Sequence, residues 1–451
     1  MLDYVTAWYF KAAAFIKDTP ARVGFVSTNS ITQGEQVGVL WHALFAQGMK
    51  IIFGYRTFAW QSEARGKAHV HVVIVGFAEA FSGQKRIYEE ADGVTTVTVA
   101  KNISPYLIEG PDAAILNRSK PLCGVPEIGI GNKPIDGGNY LFTPEERAAF
   151  LAAEPAAAPF FRRWLGSEEF INGIERWCLL LKDCPPDRLR RMPEALKRVE
   201  AVRQFRLASK SLPTRKIAAK PTRFHVENFP ASNFLAVPGV SSERRPYIPI
   251  GYLTPKNIAS NLLNVMPDAT LYHFGVLTSA MHMAWVRQVC GRLGLSFRYS
   301  VKLVYNNFPW PRLDASGSLS AGSADCVREA ASRIYWTSYH EDNTEPERRH
   351  ARPAGDAKKV AAVEAAAQSV LDVRAGYTTS TLADLYDPLT MPPDLVKAHA
   401  DLDRAVDRCY RAAPFTSDRQ RVEFLFALYE SITAPLLPVE RMGRRKGYTL
   451  K

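Results

Sequence analysis

Apolar residues in the first hundred positions recur with spacings that predict alternating helices and strands. Residues 7–16 and 34–48 repeat apolar side chains every three or four positions, as a helix with one buried face does. Residues 22–29, 49–58 and 68–78 are short apolar runs of the kind that forms buried strands. The last two runs are too close together for a helical crossover, so they should pair antiparallel. The pattern predicts part of an α/β sheet that ends in a hairpin.

This order of elements resembles the end of a class I methyltransferase sheet. Doubly wound folds of this kind place a glycine-bearing cofactor loop after their first strand. The sequence has no G-x-G-x-x-G motif, Walker loop or acidic strand end in a suitable position. We therefore expect the C-terminal half of such a sheet in this chain.

The middle of the chain mixes turn chemistry, helices and short strands. Residues 103–144 are rich in proline and glycine and include the sequence GNKPIDGGN, whereas residues 145–210 have mainly helical spacing. Short strand-like runs follow, then a predicted helix at 271–293 and a predicted strand at 297–305. This organisation predicts a mixed α+β domain.

The last part of the sequence has a different character. Residues 315–324 have the composition of a linker, and the polar stretch up to residue 359 is expected to be mobile. Helical spacing then recurs at 359–375, 393–413 and 417–436. An all-helical C-terminal domain is the prediction for this part.

The composition is that of an ordinary globular protein with a basic excess. Of 451 residues, 47% are hydrophobic, and 57 basic against 45 acidic residues give a net charge of +12. No apolar run is long enough for a membrane span and no signal-peptide pattern is present, so we expect a cytoplasmic protein. The six cysteines form no CxxC pair, so neither a zinc site nor a disulfide framework is expected.

Most of the excess charge lies in one segment, from Pro185 to Arg223. Twelve Lys or Arg against three acids give this segment a local charge of +9. A solvated helix face would interleave acids at i+4 spacing, and too few acids are present for that. The segment therefore favours contact with nucleic acid, and its candidate contacts are Arg198, Arg203, Arg206 and Lys210.

Two aromatic residues end the strand predicted at 49–58 and lead into a polar turn. Phe58 and Trp60 could stack on a base taken out of a duplex, which base-modifying enzymes require, although an aromatic at a strand end is more often a core residue. His71 alternates with valines and is interpreted as a packed histidine. The spacings support no Ser/His/Asp, Cys/His or paired-carboxylate catalytic set.

The strand predicted at 297–305 would place alternate side chains on opposite faces. Arg298, Ser300 and Lys302 would share one face, which suits the donor and acceptor edges of bases in the major groove. A solvated strand face would have the same pattern, so both interpretations stay open. Two amides follow that could read adenine or cap the next turn: Asn306 and Asn307.

Several long motifs resemble the MmeI-type restriction-modification enzymes. They include LDYVTAWYFKAA, GFVSTNSITQGEQVGVLW, RTFAWQSEARGKAHVHVVIVGF, PEIGIGNKPIDGGNYL, FGVLTSAMHMAWVRQVCGRL and RYSVKLVYNNFPWP. The resemblance covers nearly the whole chain except residues 333–359. Enzymes of this family are single chains that methylate the exocyclic amine of adenine with S-adenosylmethionine.

The resemblance implies three parts: the C-terminal half of an adenine-specific methyltransferase domain (1–110), a target-recognition domain (111–314) and a C-terminal helical domain (315–451). It places Phe58 near the position that stacks on the flipped adenine, with Trp60 as its rival. It also identifies two recognition signatures, whose candidate DNA contacts are Lys133, Asp136, Asn139, Ser300, Val301, Lys302 and Leu303. Lys302 is the first candidate for reading the target sequence.

The family's cofactor motif and its Asn-Pro-Pro-aromatic catalytic loop have no counterpart in this sequence. The stretch NFPW at 307–310 has similar ingredients, but the Asn is not followed directly by Pro-Pro. We therefore expect a recognition half that is inactive alone, binds double-stranded DNA and needs an upstream polypeptide for cofactor binding. The alternatives are a stand-alone DNA-binding or specificity protein, a remnant of a truncated gene, and a basic globular protein whose charge maintains solubility.

Overall fold

The structure is a computed structural model that describes residues 2–60, 70–91, 93–311 and 357–434. The predicted linker at 315–324 and the predicted mobile segment up to residue 356 lie outside these residues, whereas residues 357–359, the end of that predicted segment, are helical. Within the described ranges no helix has the length and apolar character needed to cross a membrane.

The N-terminal part is a five-stranded sheet with two helices packed on it. Its elements are α1 (Val5–Ile16), β1 (Val23–Thr28), α2 (Glu35–Ala46), β2 (Lys50–Trp60), β3 (Val70–Ala78), β4 (Lys85–Ala91) and β5 (Val94–Ala100). The strand order is β1-β3-β2-β4-β5. Strand β3 runs antiparallel to both β1 and β2, which confirms the predicted hairpin. Strand β4 then pairs parallel to β2, and β5 pairs antiparallel to β4.

Helix α1 carries apolar residues on two faces, so the single apolar face predicted from its sequence is wrong. One face buries Tyr9, Ala13 and Ile16, and the Tyr9 ring stacks on Phe77 of β3 with 5.5 Å between centroids. A second group lies within about 40° around the helix axis and is exposed to 79%, 51% and 86%: Tyr4, Trp8 and Phe15. The described residues leave this second face uncovered.

The middle part contains three small sheets with helices between them. Its strands are β6 (Gly129–Ile130), β7 (Leu141–Phe142), β8 (Phe161–Leu165), β9 (Trp177–Leu179), β10 (Phe234–Pro238), β11 (Val240–Ser241), β12 (Gly251–Leu253), β13 (Asn257–Ala259), β14 (Leu263–Pro267), β15 (Gly291–Leu293) and β16 (Ser296–Arg298). Its helices are α3 (Pro144–Ala153), α4 (Ser167–Asn172), α5 (Pro186–Arg190), α6 (Pro193–Leu207), α7 (Leu212–Lys216), α8 (Leu271–Leu277) and α9 (Ala280–Val289). The sheets have the orders β12-β10-β14-β6, β11-β16-β15 and β13-β8-β9-β7.

Two predicted elements of this part are wrong in detail. The helix predicted at 271–293 is divided into α8 and α9, because Ser279 leaves helical geometry and its hydroxyl accepts a hydrogen bond from the His282 amide as the cap of α9. The strand predicted at 297–305 ends at Arg298, and Val301–Tyr305 forms a π-helical turn. The alternation of faces assumed for Ser300 and Lys302 therefore does not apply.

The C-terminal part is helical, as predicted. Its helices are α10 (Ala357–Gly376), α11 (Leu382–Leu385), α12 (Pro393–Tyr410) and α13 (Asp418–Thr433). The α13 residue Phe426 contacts Tyr106 and Trp285, with ring centroids 5.0 and 5.3 Å apart. One hydrophobic core therefore extends through all three parts of the chain.

Candidate nucleic-acid interface

The glycine-rich recognition loop and the end of the basic segment lie side by side. The amide of Lys133 donates to the Val226 carbonyl at 3.0 Å, and the Val226 amide donates back to the Lys133 carbonyl at 3.1 Å. The Tyr140 hydroxyl donates to the Pro221 carbonyl at 2.9 Å. Two segments that the sequence singled out separately are thus parts of one structural unit.

Helix α6 brings the exposed part of the basic segment to the same place. The Phe205 side chain is 47% exposed, and a Cβ atom built on Gly137 would lie 2.8 Å from its ring. The side chains of Arg203 and Lys210 are also exposed. We call the exposed residues Lys133, Gly137, Gly138, Arg203, Phe205 and Lys210 the loop–helix surface.

The arginines of α6 differ in their exposure and in the groups that their guanidinium ions contact. Arg203 forms an exposed ion pair with Glu200 at 3.0 Å, and such pairs contribute little stability, so this guanidinium can exchange its partner for a phosphate. Arg198 is half-buried, with its guanidinium over the Phe142 ring at 4.9 Å.

Arg206 points into the protein, so its predicted contact with DNA is not supported. Its side chain has no solvent exposure, and burial lowers the pKa of its guanidinium. The guanidinium donates five hydrogen bonds of 2.8–3.1 Å to main-chain carbonyls, those of Pro134, Ile135, Ile217, Lys220 and Arg223.

The polar residues of the recognition loop mostly hold the loop itself. The Asp136 carboxylate is buried and accepts a hydrogen bond from the Tyr140 amide at 2.8 Å, so its predicted role as a DNA contact is not supported. The Asn139 side chain is half-buried and donates to the Asp136 carbonyl at 2.9 Å. Of the three predicted contacts in this loop, only Lys133 is exposed.

The second predicted recognition motif is largely buried. Arg298 and Lys302 are exposed, Ser300 and Val301 are half-buried, and Leu303, Asn306 and Asn307 are buried. The Asn306 amide donates to the Arg118 carbonyl at 2.8 Å, and the Asn307 amide donates to three carbonyls. The two amides therefore support the backbone, and their predicted role as base contacts is not supported. Ser300 caps the π-helical turn by accepting from the Leu303 amide at 3.3 Å.

Phe58 and Trp60 lie on one face at the end of β2. Their ring centroids are 6.5 Å apart, and the Tyr55 ring approaches Phe58 edge-on at 5.0 Å because a bulge separates the two residues. Phe58 is half-buried, whereas Trp60 is 48% exposed. Trp60 thus offers more free aromatic surface than Phe58.

The opposite face of β2 borders a cavity of about 320 Å³ between the N-terminal sheet and the middle part. Thr57 and His71 line it from the sheet, and Gln288 and Arg292 line it from the other side. His71, interpreted from the sequence as a packed histidine, is half-buried and borders this space. No sequence pattern indicates this cavity, because its two walls come from segments more than a hundred residues apart.

Polar side chains cross the cavity and join its walls. Arg56 pairs with Glu89 at 2.7 Å and donates to the Gln288 side chain at 3.4 Å. Arg292 donates to the side-chain oxygen of Gln33 at 3.3 Å. These contacts fix the middle part on the sheet. Among the described residues no cluster of His, Cys, Asp or Glu suits a metal ion.

Models of three domains of one family match the chain. The MmeI DNA-methyltransferase domain matches residues 1–89, the MmeI target recognition domain matches residues 109–312, and the MmeI C-terminal domain matches residues 355–437. The three domains follow one another in the order expected from the sequence motifs.

Two similar proteins agree with these matches. The DNA methyltransferase A of Bacillus subtilis (strain 168) is 37% identical over 433 residues, which is 96% of this chain and 44% of that protein. The Type IIL restriction-modification enzyme MmeI, whose structure was solved in complex with DNA, is 41% identical with a TM-score of 0.81 over 96% of this chain and 53% of its own. The chain thus spans about half the length of these relatives, and its fold is that predicted: the end of a methyltransferase sheet, a mixed recognition part and a helical part. The matches to all three domains show that the chain belongs to the MmeI family.

Proposed function

We propose that this chain provides DNA recognition and part of the catalytic domain of a site-specific adenine-N6 DNA methyltransferase that uses S-adenosylmethionine. In this proposal a further polypeptide, preceding these residues or separate from them, supplies the cofactor site and the Asn-Pro-Pro-aromatic loop. The domains at 1–110, 111–314 and 315–451 then provide the base-stacking wall, sequence readout and a helical support. The relation to MmeI, whose structure was solved with DNA, supports double-stranded DNA as the partner.

The open edge of the N-terminal sheet is the observation that carries this proposal. Strand β1 pairs with β3 on one side and with no other described strand on its second side. Beside this edge, α1 exposes Tyr4, Trp8 and Phe15, and Val26 of β1 is also exposed. An unpaired strand edge next to uncovered aromatic side chains favours addition of further strands. A second section of methyltransferase sheet is the occupant that we propose.

Positive charge supports the recognition role. Lys133 of the recognition loop, Arg203 of α6 and Lys210 just after α6 are exposed, and Arg298 and Lys302 are exposed at a second site. Lys and Arg side chains that neutralise phosphates release counterions, which makes binding depend on salt. For the flipped adenine, Trp60 has the more accessible ring and Phe58 is the alternative.

Titration of the chain with S-adenosylmethionine and with DNA tests the proposal. We expect no cofactor binding by calorimetry, and DNA binding by anisotropy that weakens steeply with salt. Lys210→Ala should reduce the slope of log K against log salt by about 0.9, whereas the exposed Lys17→Ala on α1 should leave it unchanged. Cofactor binding by this chain alone, or a slope that neither variant changes, would contradict the proposal.

The open face of α1 has its own test. Trp8→Ser and Phe15→Ser should reduce concentration-dependent self-association in sedimentation velocity, because they remove uncovered apolar surface. Lys17→Ser, at the end of the same helix, is the matched control. If the wild-type chain stays monomeric at every concentration, the exposed aromatic face of α1 does not drive association, and its proposed role as a binding face is contradicted.

A further inference from the structure

The guanidinium of Arg206 has an unusual set of partners for a buried cation. Its Nε donates to the Ile135 carbonyl at 2.9 Å, Nη1 donates to two carbonyls at 3.1 Å, and Nη2 donates to two more at 2.9 and 2.8 Å. A guanidinium has five N–H donors, so each of them is used. None of these hydrogen bonds involves a carboxylate. A group with this many main-chain acceptors fixes backbone conformation.

The five carbonyls belong to two separate loops. Pro134 and Ile135 lie in the loop at 133–139, and the other three acceptors lie within residues 217–223. Arg206 itself is near the C-terminal end of α6. One side chain thus ties both loops to one helix, in addition to the backbone pairing of Lys133 with Val226.

The peptide that Arg206 holds has a strained conformation. Ile135 has a φ of 50°, in the left-handed region that β-branched residues rarely adopt. Gly137 and Gly138 follow with φ of 62° and 82°, which glycine adopts freely. A strained residue persists only where the surrounding structure determines its conformation. The hydrogen bonds from Arg206 to the carbonyls of residues 134 and 135 hold Ile135 in this conformation.

The strained turn is also where the loop is exposed. Gly137 and Gly138 face solvent beside the exposed side chains of Lys133 and Phe205. Discrimination between bases needs the contacting atoms held to within about 0.5 Å, because a mobile loop adapts to wrong bases as well. The anchor therefore lies directly beneath the part of the loop–helix surface that would approach DNA.

We propose that Arg206 is a positioning residue, which holds the loop at 133–139 in the one conformation that reads bases while making no DNA contact itself. This inference rests on the proposed function as a DNA-recognition chain. Lysine cannot replace this side chain, because its ammonium has three donors in tetrahedral geometry and the five acceptors lie around a planar fork.

Arg206→Lys in the full chain tests the proposal, with Val202→Ala as the matched control. Val202 is fully buried on the same helix, about one turn earlier, and contributes apolar packing only. The probes are a duplex pool enriched from random sequences by the wild-type chain, and the unselected pool. We expect Arg206→Lys to reduce the preference for enriched over unselected duplex by about tenfold, within the range that one lost base contact gives. Affinity for the unselected pool and its salt dependence should stay unchanged, because the exposed cations remain.

Hydrogen exchange of the free chain provides a second readout. The amides of Lys133, Asn139 and Val226 should exchange about tenfold faster in Arg206→Lys than in the wild type, and Val202→Ala should not show this local change. Three results would overturn the proposal: equal losses of affinity for both duplex pools in Arg206→Lys, unchanged hydrogen-exchange rates in that variant, or the same loss of preference in Val202→Ala. A wild-type chain that binds neither pool would instead contradict the proposed function, and the exchange rates would then show separately whether Arg206 holds the loop.

Discussion

Asn307 joins three segments of the chain, and its replacement tests whether it supports the fold or reads DNA. The side chain is fully buried. Its amide group donates to the carbonyls of Leu116, Lys302 and Leu303 at 2.9–3.0 Å, and its oxygen accepts from the Tyr429 hydroxyl at 3.4 Å. The perturbations are Asn307→Ala, which removes these contacts, and Asn307→Asp, which keeps the shape and replaces the donors with acceptors.

The expected loss of stability follows from the lost hydrogen bonds. Each bond contributes about 1 kcal/mol, and each buried carbonyl left without a donor costs about 1–3 kcal/mol. Asn307→Ala removes this donor from the Leu116 and Leu303 carbonyls, whereas the Lys302 carbonyl keeps the Arg118 amide at 3.0 Å, so the free energy of unfolding should fall by about 2–4 kcal/mol. Asn307→Asp should be worse, because a buried carboxylate would face three carbonyl oxygens.

Urea unfolding followed by circular dichroism measures these losses, with Asn306→Ala as the control. Asn306 is also buried but its amide donates to one carbonyl, that of Arg118, so its replacement should cost less. The expected order of destabilisation is therefore Asn307→Asp, Asn307→Ala, Asn306→Ala. DNA anisotropy under conditions where each variant is folded completes the assay. If Asn307→Ala unfolds at the wild-type urea concentration but binds DNA more weakly, the side chain contacts DNA and our reasoning is refuted.

Three further predictions concern stability. Burial lowers the pKa of both His282 and His399 to about 3, so below pH 6.5 the unfolded chain binds more protons than the native chain. Each histidine should therefore remove about 1.4 kcal/mol of stability per pH unit as the pH falls. Urea unfolding at pH 7 and 5 should show that each His→Gln variant loses less stability between these pH values than the wild type does. Burial raises the pKa of Asp403 to about 6, so the native state binds a proton before the unfolded state does. Asp403 therefore adds stability as the pH falls from about 6 to 4. Asp403→Asn should remove that contribution, and identical profiles of unfolding free energy against pH for this variant and the wild type would contradict it. A Cβ on Gly275 would lie 2.7 Å from Val363 Cγ1, so Gly275→Ala should destabilise the chain by about 1–3 kcal/mol, and a double-mutant cycle with Val363→Ala should show partial relief.

The spacing of apolar residues predicted several helices and one strand pair at their observed positions. Helices α1, α2, α6 and α13 and the antiparallel pair β2–β3 all lie where apolar spacing placed them. Each buries at least part of its apolar residues, although α1 and α6 also expose large ones, such as Phe15 and Phe205. The predicted start of α13 at residue 417 also agrees with the structure, where the Ser417 hydroxyl accepts from the Gln420 amide as the helix cap.

Tertiary contacts explain where the prediction failed. The sequence 297–305 alternates like a strand, but Ser300 caps a turn there, and the amide of Asn307 satisfies carbonyls that a strand partner would otherwise bind. Arg206 belongs to a basic run, and only the fold shows that its five acceptors converge from distant loops. The count of charged residues identifies the basic segment. It cannot distinguish the exposed cations of that segment from Arg206, which is buried and holds the backbone of two loops.

The shared core limits how recognition and catalysis can be coupled in this chain. Phe426 of α13 packs on Tyr106 and Trp285 together, and Arg287 of α9 pairs with Asp418 at 2.5 Å. A hinge between the parts would have to open these apolar and ionic contacts, whereas a domain that moves freely has a small and polar interface. The C-terminal helices therefore act as a clamp between the sheet and the middle part. The loop–helix surface, which we propose to bind DNA, packs on a second core that includes Tyr140 and Val202, so the clamp by itself does not fix the distance of this surface from the end of β2.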